Sequence, residues 1–217
     1  MIKESIVEQT RKHVEQTLSG ESSGHDWWHT YRVWRNAIYI GQREEADLFV
    51  VQLAALLHDI ADYKFHAGDE AIGPRMATEW LYSLKVEPQV VQQVHDIILR
   101  IPFRGNAGDR LPLSLEGMVV QDADWLDAIG AIGIARVFAY GGHKGREIYD
   151  PNIKPRHFET FDQYKNNTSP SVNHFYEKLL LLKDLMNTKT ARAIALKRDQ
   201  FMSEFLNEFF AEWDMTT

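Results

Sequence analysis

His58 and Asp59 stand side by side at the polar end of the apolar run Leu48-Phe-Val-Val-Gln-Leu-Ala-Ala-Leu-Leu57. A mostly hydrophobic stretch leading into an imidazole and a carboxylate places two metal-capable groups where desolvation is costly without a partner. Two further segments offer groups of the same kind, Gly24-His-Asp-Trp-Trp-His-Thr-Tyr-Arg-Val33 and Val120-Gln-Asp-Ala-Asp-Trp-Leu-Asp127. Side chains of this type from separate helices can converge on one borderline divalent ion. The chain has no Cys, so any metal must be held by His, Asp and Glu, and neither a disulfide nor a thiolate nucleophile exists.

The elements that must position these groups are helices. Apolar residues recur at three- and four-residue spacing almost throughout, while the alternating runs of strands are scarce, so the pattern predicts an all-α chain. An amphipathic helix over 3–18 ends before Ser19-Gly-Glu-Ser-Ser-Gly24, and Asp26 is placed to cap a second over 26–42. Further helices are predicted over 47–61, 69–84 and 88–101, the last with Pro88 in its first turn. A segment over 114–129 carries Asp122, Asp124 and Asp127, and a short helix follows to Tyr140. The stretch 141–170, rich in Gly, Pro, Asn and His, reads as a lid or variable region. Two long helices over 171–186 and 188–213 close the chain, and Phe201, Phe205, Phe209 and Trp213 form a stripe on the second that suits a core or a dimer face.

With 217 residues, 44% of them hydrophobic, and no repeat or linker, the sequence reads as one globular domain over 1–217. A net charge of −7 argues against an extended nucleic-acid surface. No stretch approaches the roughly 18 apolar residues of a membrane span, and the start Met1-Ile-Lys-Glu-Ser-Ile-Val lacks an apolar signal core. The expectation is a cytoplasmic protein that meets neither membrane nor nucleic acid.

Neighbouring residues diverge by about 100° around a helix, so His58 and Asp59 share an ion only if it lies over the boundary of their faces. Asp62, four residues after His58 and three after Asp59, falls on the same side and suits general acid/base work. His25 and His29 stand at i, i+4, which leaves His25 as a ligand or as a capping residue of the helix start. Asp122 and Asp124 point to nearly opposite sides of their helix, and either could face inward. Gly141-Gly-His-Lys-Gly-Arg146 lacks Walker A spacing and reads as a loop able to carry Lys144 or Arg146 over a substrate.

The order His, His-Asp, Asp resembles the HD superfamily of metal-dependent phosphohydrolases over most of the chain. Gly24-His-Asp-Trp-Trp-His29 looks like its first ligand motif, His58-Asp59 matches the doublet that names it, and Ala123-Asp-Trp-Leu-Asp-Ala128 resembles its last motif. The resemblance implies a single HD-type helical bundle with a metal-site core over about 25–130 and a C-terminal helical extension over about 171–213. It implies His29, His58, Asp59 and Asp124 as metal ligands, with Asp122 competing for the fourth place. Manganese comes first among the ions, with Fe, Co, Ni, Zn and Mg behind it.

The segments 62–66, 127–140 and 173–187 look like a small bacterial subgroup of stand-alone HD hydrolases with nucleotide pyrophosphohydrolase activity. That implies hydrolysis of a nucleoside triphosphate to monophosphate and pyrophosphate, by a monomer or homodimer. Asp62 would handle protons, and Lys64 would contact phosphate. His95, Arg136, His174 and Lys178 are the candidate substrate contacts, with Lys183 pointing partly elsewhere. A phosphomonoesterase or cyclic-nucleotide phosphodiesterase at the same site, a di-iron oxygenase drawing on His66 and His95, and a non-catalytic nucleotide sensor are the alternatives.

Overall fold

Val7, Thr10 and Val14, three and four residues apart, form the buried stripe of the first helix, α1 (Ile2–Thr17). The computed structural model describes residues 2–20, 26–61, 71–102, 112–156 and 168–216, and among these every regular element is a helix. The described residues divide into two compact units, one up to Asp124 and the other from Trp125 onward. No helix among them is long and apolar enough to cross a membrane.

In the first unit, α2 (Trp27–Arg43) begins where Asp26 accepts a hydrogen bond from the His29 amide at 2.8 Å. That is the N-cap expected from its sequence, and it leaves one fewer orphan donor at the helix start. Asp47 does the same for α3 (Leu48–Leu57) through the Phe49 amide. Val50, Val51, Leu53, Ala54, Ala55, Leu56 and Leu57 are all buried, because α3 is packed by α1, α2 and α5 (Pro88–Arg100). Five consecutive buried apolar residues, Leu53 to Leu57, cover every side of the last turns of α3 and are stable only in such a position. Each fully buried leucine contributes roughly 2–3 kcal/mol of transfer free energy.

Behind this layer, α4 (Ile72–Ser83) packs on α5. The sixth helix, α6 (Leu115–Asp127), buries Val119 and Val120, and its Gln121 side chain donates to the Ile101 carbonyl at 3.1 Å.

The second unit holds the end of α6, then α7 (Gly130–His143), α8 (Asn173–Glu177), a 3-10 turn over Leu179–Leu181, α9 (Leu182–Leu185) and α10 (Lys189–Trp213). Contacts of α10 run to α7 and α9. Phe138, Phe175 and Phe205 meet with ring centroids 6.0 to 6.1 Å apart. Phe209 and Trp213 flank Tyr149, whereas Phe201 is half exposed. The aromatic stripe of α10 is thus half-buried at Phe205, where it meets Phe138 and Phe175, and exposed at Phe201.

Two expected helices are shorter or broken. The one predicted over 47–61 stops at Leu57. The one predicted over 171–186 is split at Lys178, whose φ of −144° and ψ of −57° leave the helical region. Glu177, just before the break, is buried and accepts the Arg156 amide at 3.2 Å, a tie to a neighbouring segment that periodicity does not report.

Gly133 carries no side chain for a spatial reason: a Cβ there would lie 2.2 Å from the Ala128 carbonyl oxygen, a main-chain atom that cannot rotate away. Gly133→Ala should therefore lower unfolding free energy by about 3 kcal/mol. Gly142→Ala, with nothing within 4 Å, should raise it by roughly 0.5 kcal/mol or more. Urea denaturation of both variants checks the pair, and equal effects would contradict it.

Candidate metal centre

The third residue of α2, the residue after α3 and a residue near the end of α6 bring three side chains together in the first unit, and Asp59 adds a fourth. His29 Nε2 lies 3.3 Å from Asp59 Oδ2 and 3.5 Å from Asp124 Oδ1. His58 Nε2 lies 3.3 Å from the same Asp59 oxygen, 4.0 Å from Asp124 Oδ1 and 3.4 Å from His29 Nε2. The imidazoles are 2% and 4% exposed, the Asp59 and Asp124 side chains 25% and 31%. The histidines thus form a buried floor and the carboxylates the accessible side.

His29, His58 and Asp59 form a group that fits a divalent ion, and Asp124 approaches it from the side of the two histidines. Most of these separations exceed those of good N–H···O hydrogen bonds. They match the roughly 3.0–3.5 Å between adjacent ligands that each stand about 2.1 Å from one ion. The orientation of His58 fits as well: its Nδ1 lies 2.8 Å from the Ala55 carbonyl oxygen, which can only accept. The Nδ1 proton is thereby fixed, and Nε2 is the nitrogen left to face the other three groups.

That same hydrogen bond explains the early end of α3. One more helical residue would have engaged the Ala55 carbonyl through the Asp59 amide, and the His58 ring takes its place. The helical projection therefore does not describe His58 and Asp59, which follow the end of α3. The doublet sits in the turn after the helix, where Asp59 can reach both imidazoles.

The other candidates fall in different places. Asp62, Lys64, His66 and His25 lie outside the described residues. Asp122 is fully buried, and Asp124 lies within 4.0 Å of both histidines. His95, on α5, is partly exposed with Nδ1 3.4 Å from Asp96, and it is not in the His29, His58 and Asp59 group. In the second unit, Arg136 stands 3.3 Å from Asp127, which is a buried residue and not a surface one. Lys183 is paired with Asp199 at 2.7 Å. His174 is driven down to about 3 by burial and then by the charges of Lys178 and Arg146, so its imidazole is neutral at ordinary pH. The sequence offered no sign of the Ala55 carbonyl as a partner, because a main-chain acceptor has no side-chain signature.

Burial lowers the affinity of His58 for a proton, but the Asp59 carboxylate, then Asp124 and the Ala55 carbonyl, more than reverse this and raise its pKa to about 9. An imidazolium held in this way adds stability to the metal-free protein fully below the unfolded pKa of about 6.5, and that contribution is lost as pH rises through about 9. An ion and this proton compete for Nε2. Titration with Mn²⁺ at pH 7.5 should release about one proton per chain, and the affinity should rise with pH and level off above about 9. Calorimetry in buffers of different ionisation enthalpy measures the release, and a pH-independent affinity would contradict it.

The HD domain family model matches residues 27–129, a span that contains all four converging residues. The chain is 42% identical over 203 residues to the uncharacterised protein YpgQ of Bacillus subtilis, covering 93% of this chain and 91% of that one. A crystal structure of YpgQ in complex with ADP superposes with a TM-score of 0.78, covering 98% of this chain and 97% of that chain at 37% identity. An HD-superfamily hydrolase from Bacillus thuringiensis gives a TM-score of 0.77 at 43% identity and covers 98% of both chains. A protein of Lactobacillus plantarum gives 0.86 at 40% identity, covering 99% of this chain and 100% of that one. The doublet, its two partners and an all-helical frame lead with these likenesses to one conclusion: the chain belongs to the HD-domain family, as an HD-superfamily hydrolase with a divalent-metal site.

Proposed function

We propose that the chain hydrolyses nucleoside triphosphates to monophosphate and pyrophosphate at the centre formed by His29, His58, Asp59 and Asp124, with Mn²⁺ as the preferred ion. The group of His29, His58 and Asp59, with Asp124 within 4.0 Å of both imidazole nitrogens, supports the hydrolytic site. The ADP complex of YpgQ is the observation that carries the nucleotide.

His29 and His58 bind through Nε2, and Asp59 and Asp124 through their carboxylates. When bound, a divalent ion polarises a phosphoryl oxygen and lowers the pKa of a water at neutral pH. Mixed nitrogen and oxygen ligation favours Mn²⁺ and its neighbours over Mg²⁺, which prefers an all-oxygen shell. The Ala55 carbonyl keeps the His58 ring from turning over. In this reading Asp62 carries the proton and Lys64 offsets charge on the phosphate.

A panel of nucleoside triphosphates with Mn²⁺, analysed for pyrophosphate and orthophosphate, tests the reaction. Pyrophosphate with equimolar monophosphate is the expected result. Release of orthophosphate alone would replace it with a phosphomonoesterase reading, and tight binding without turnover would replace it with a sensor. His58→Ala and Asp59→Ala should lose both metal and turnover. Asp62→Asn should keep the metal and lose about 100-fold in kcat; equal metal loss in all three would make Asp62 a ligand.

A further inference from the structure

The C-terminal end of α6 is held in an unusual way. Arg198, on α10, donates from Nη1 to the Leu126 carbonyl oxygen. That carbonyl belongs to the last turn of α6, where main-chain acceptors lack helical partners, and it otherwise receives the Ile129 amide at 3.3 Å. Asp127, the final residue of the helix, is 2% exposed, and its Oδ2 stands 3.3 Å from Arg136 Nη1. A buried carboxylate at this end adds to the negative pole of the helix dipole. The Arg136 and Arg198 guanidiniums both act against that charge.

Gly130 leaves room for this. Its φ is +77°, and a Cβ there would meet Cγ, Cβ and Cδ of Arg198 at 3.0 to 3.2 Å. The arginine stem therefore runs along the space that the missing side chain opens. The seat of α10 does not depend on it, because Ala191, Ala195, Met202 and Leu206 are buried and Asp199 is tied to Lys183 at 2.7 Å. What the guanidinium adds is a fixed end for α6, and Asp124 lies two residues before the carbonyl it grips.

We propose that Arg198 is a positioning residue for the metal centre, fixing the end of α6 through the Leu126 carbonyl and Asp127 and so holding the Asp124 carboxylate in register. The inference rests on Asp124 being a ligand. It gives the C-terminal helix a part in metal binding that no ligand motif records.

Arg198→Met keeps most of the stem and removes the donors. In the full-length protein it should raise the Kd for Mn²⁺ about tenfold, measured from free Mn²⁺ by electron paramagnetic resonance, and lower kcat with little change in KM. Arg198→Lys, which keeps a donor, should return the Kd to within about threefold of the parent. An Arg198→Met protein that melts earlier yet binds Mn²⁺ and turns over like the parent would overturn the proposal, leaving the arginine a structural role alone. If that variant does not fold, Gly130→Ala serves: it crowds the stem without removing charge, should also weaken Mn²⁺, and would overturn the proposal by leaving the Kd unchanged. A parent protein without Mn²⁺ affinity would overturn the ligand set itself, and this inference with it.

Discussion

Each of two buried imidazole nitrogens lies within 4.0 Å of the Asp59 and Asp124 carboxylates, and such a group is tolerable only with positive charge among its members. A proton on His58 supplies that charge in the metal-free chain. Particular features of the first unit hold these groups in place. Asp26 fixes the start of α2 and so the depth of His29, while the buried last turns of α3 deliver His58 from the core. The histidine ends that helix by taking the Ala55 carbonyl for its own ring.

That last bond joins local structure to chemistry. Without it the imidazole could present either nitrogen, and the helix could run on into Asp59. With it, the tautomer is set and the chain turns in one step. The carboxylate of Asp59 then lies 3.3 Å from both Nε2 atoms, a position that a continuous helix would deny it.

Much of this could be read from residue order, and the reasons are specific. The N-cap at Asp26, the proline start of α5 and the ends of α10 follow from capping chemistry and periodicity, which act over a few residues. The four converging residues were legible because imidazole and carboxylate at the edges of apolar segments are costly, and the HD-like order groups them. The end of α3 at Leu57 was not, since a run of leucine and alanine holds no stop signal and the stop comes from a side chain folding back. The break at Lys178 was hidden in the same way by the leucines that follow it. Which aspartate of α6 turns toward the histidines depends on the rotation of that helix about its axis, which long-range packing sets and no local pattern reports. Arg136 and Lys183, free cations on paper, are engaged by Asp127 and Asp199, partners about 9 and 16 residues away that no local rule links to them.

The burial of the last turns of α3 has a further consequence for how this protein can vary. In most helices one face answers to packing and another is at liberty to change, so stability and activity can drift apart. Here a single ten-residue segment is both the centre of the core and the mount for the doublet. A methylene lost at Leu53 or Leu56 shifts the mount as well as the packing. Mutational tolerance in this segment is therefore set by the stricter of two demands, and a lineage that loosens its interior there detunes its metal chemistry in the same step.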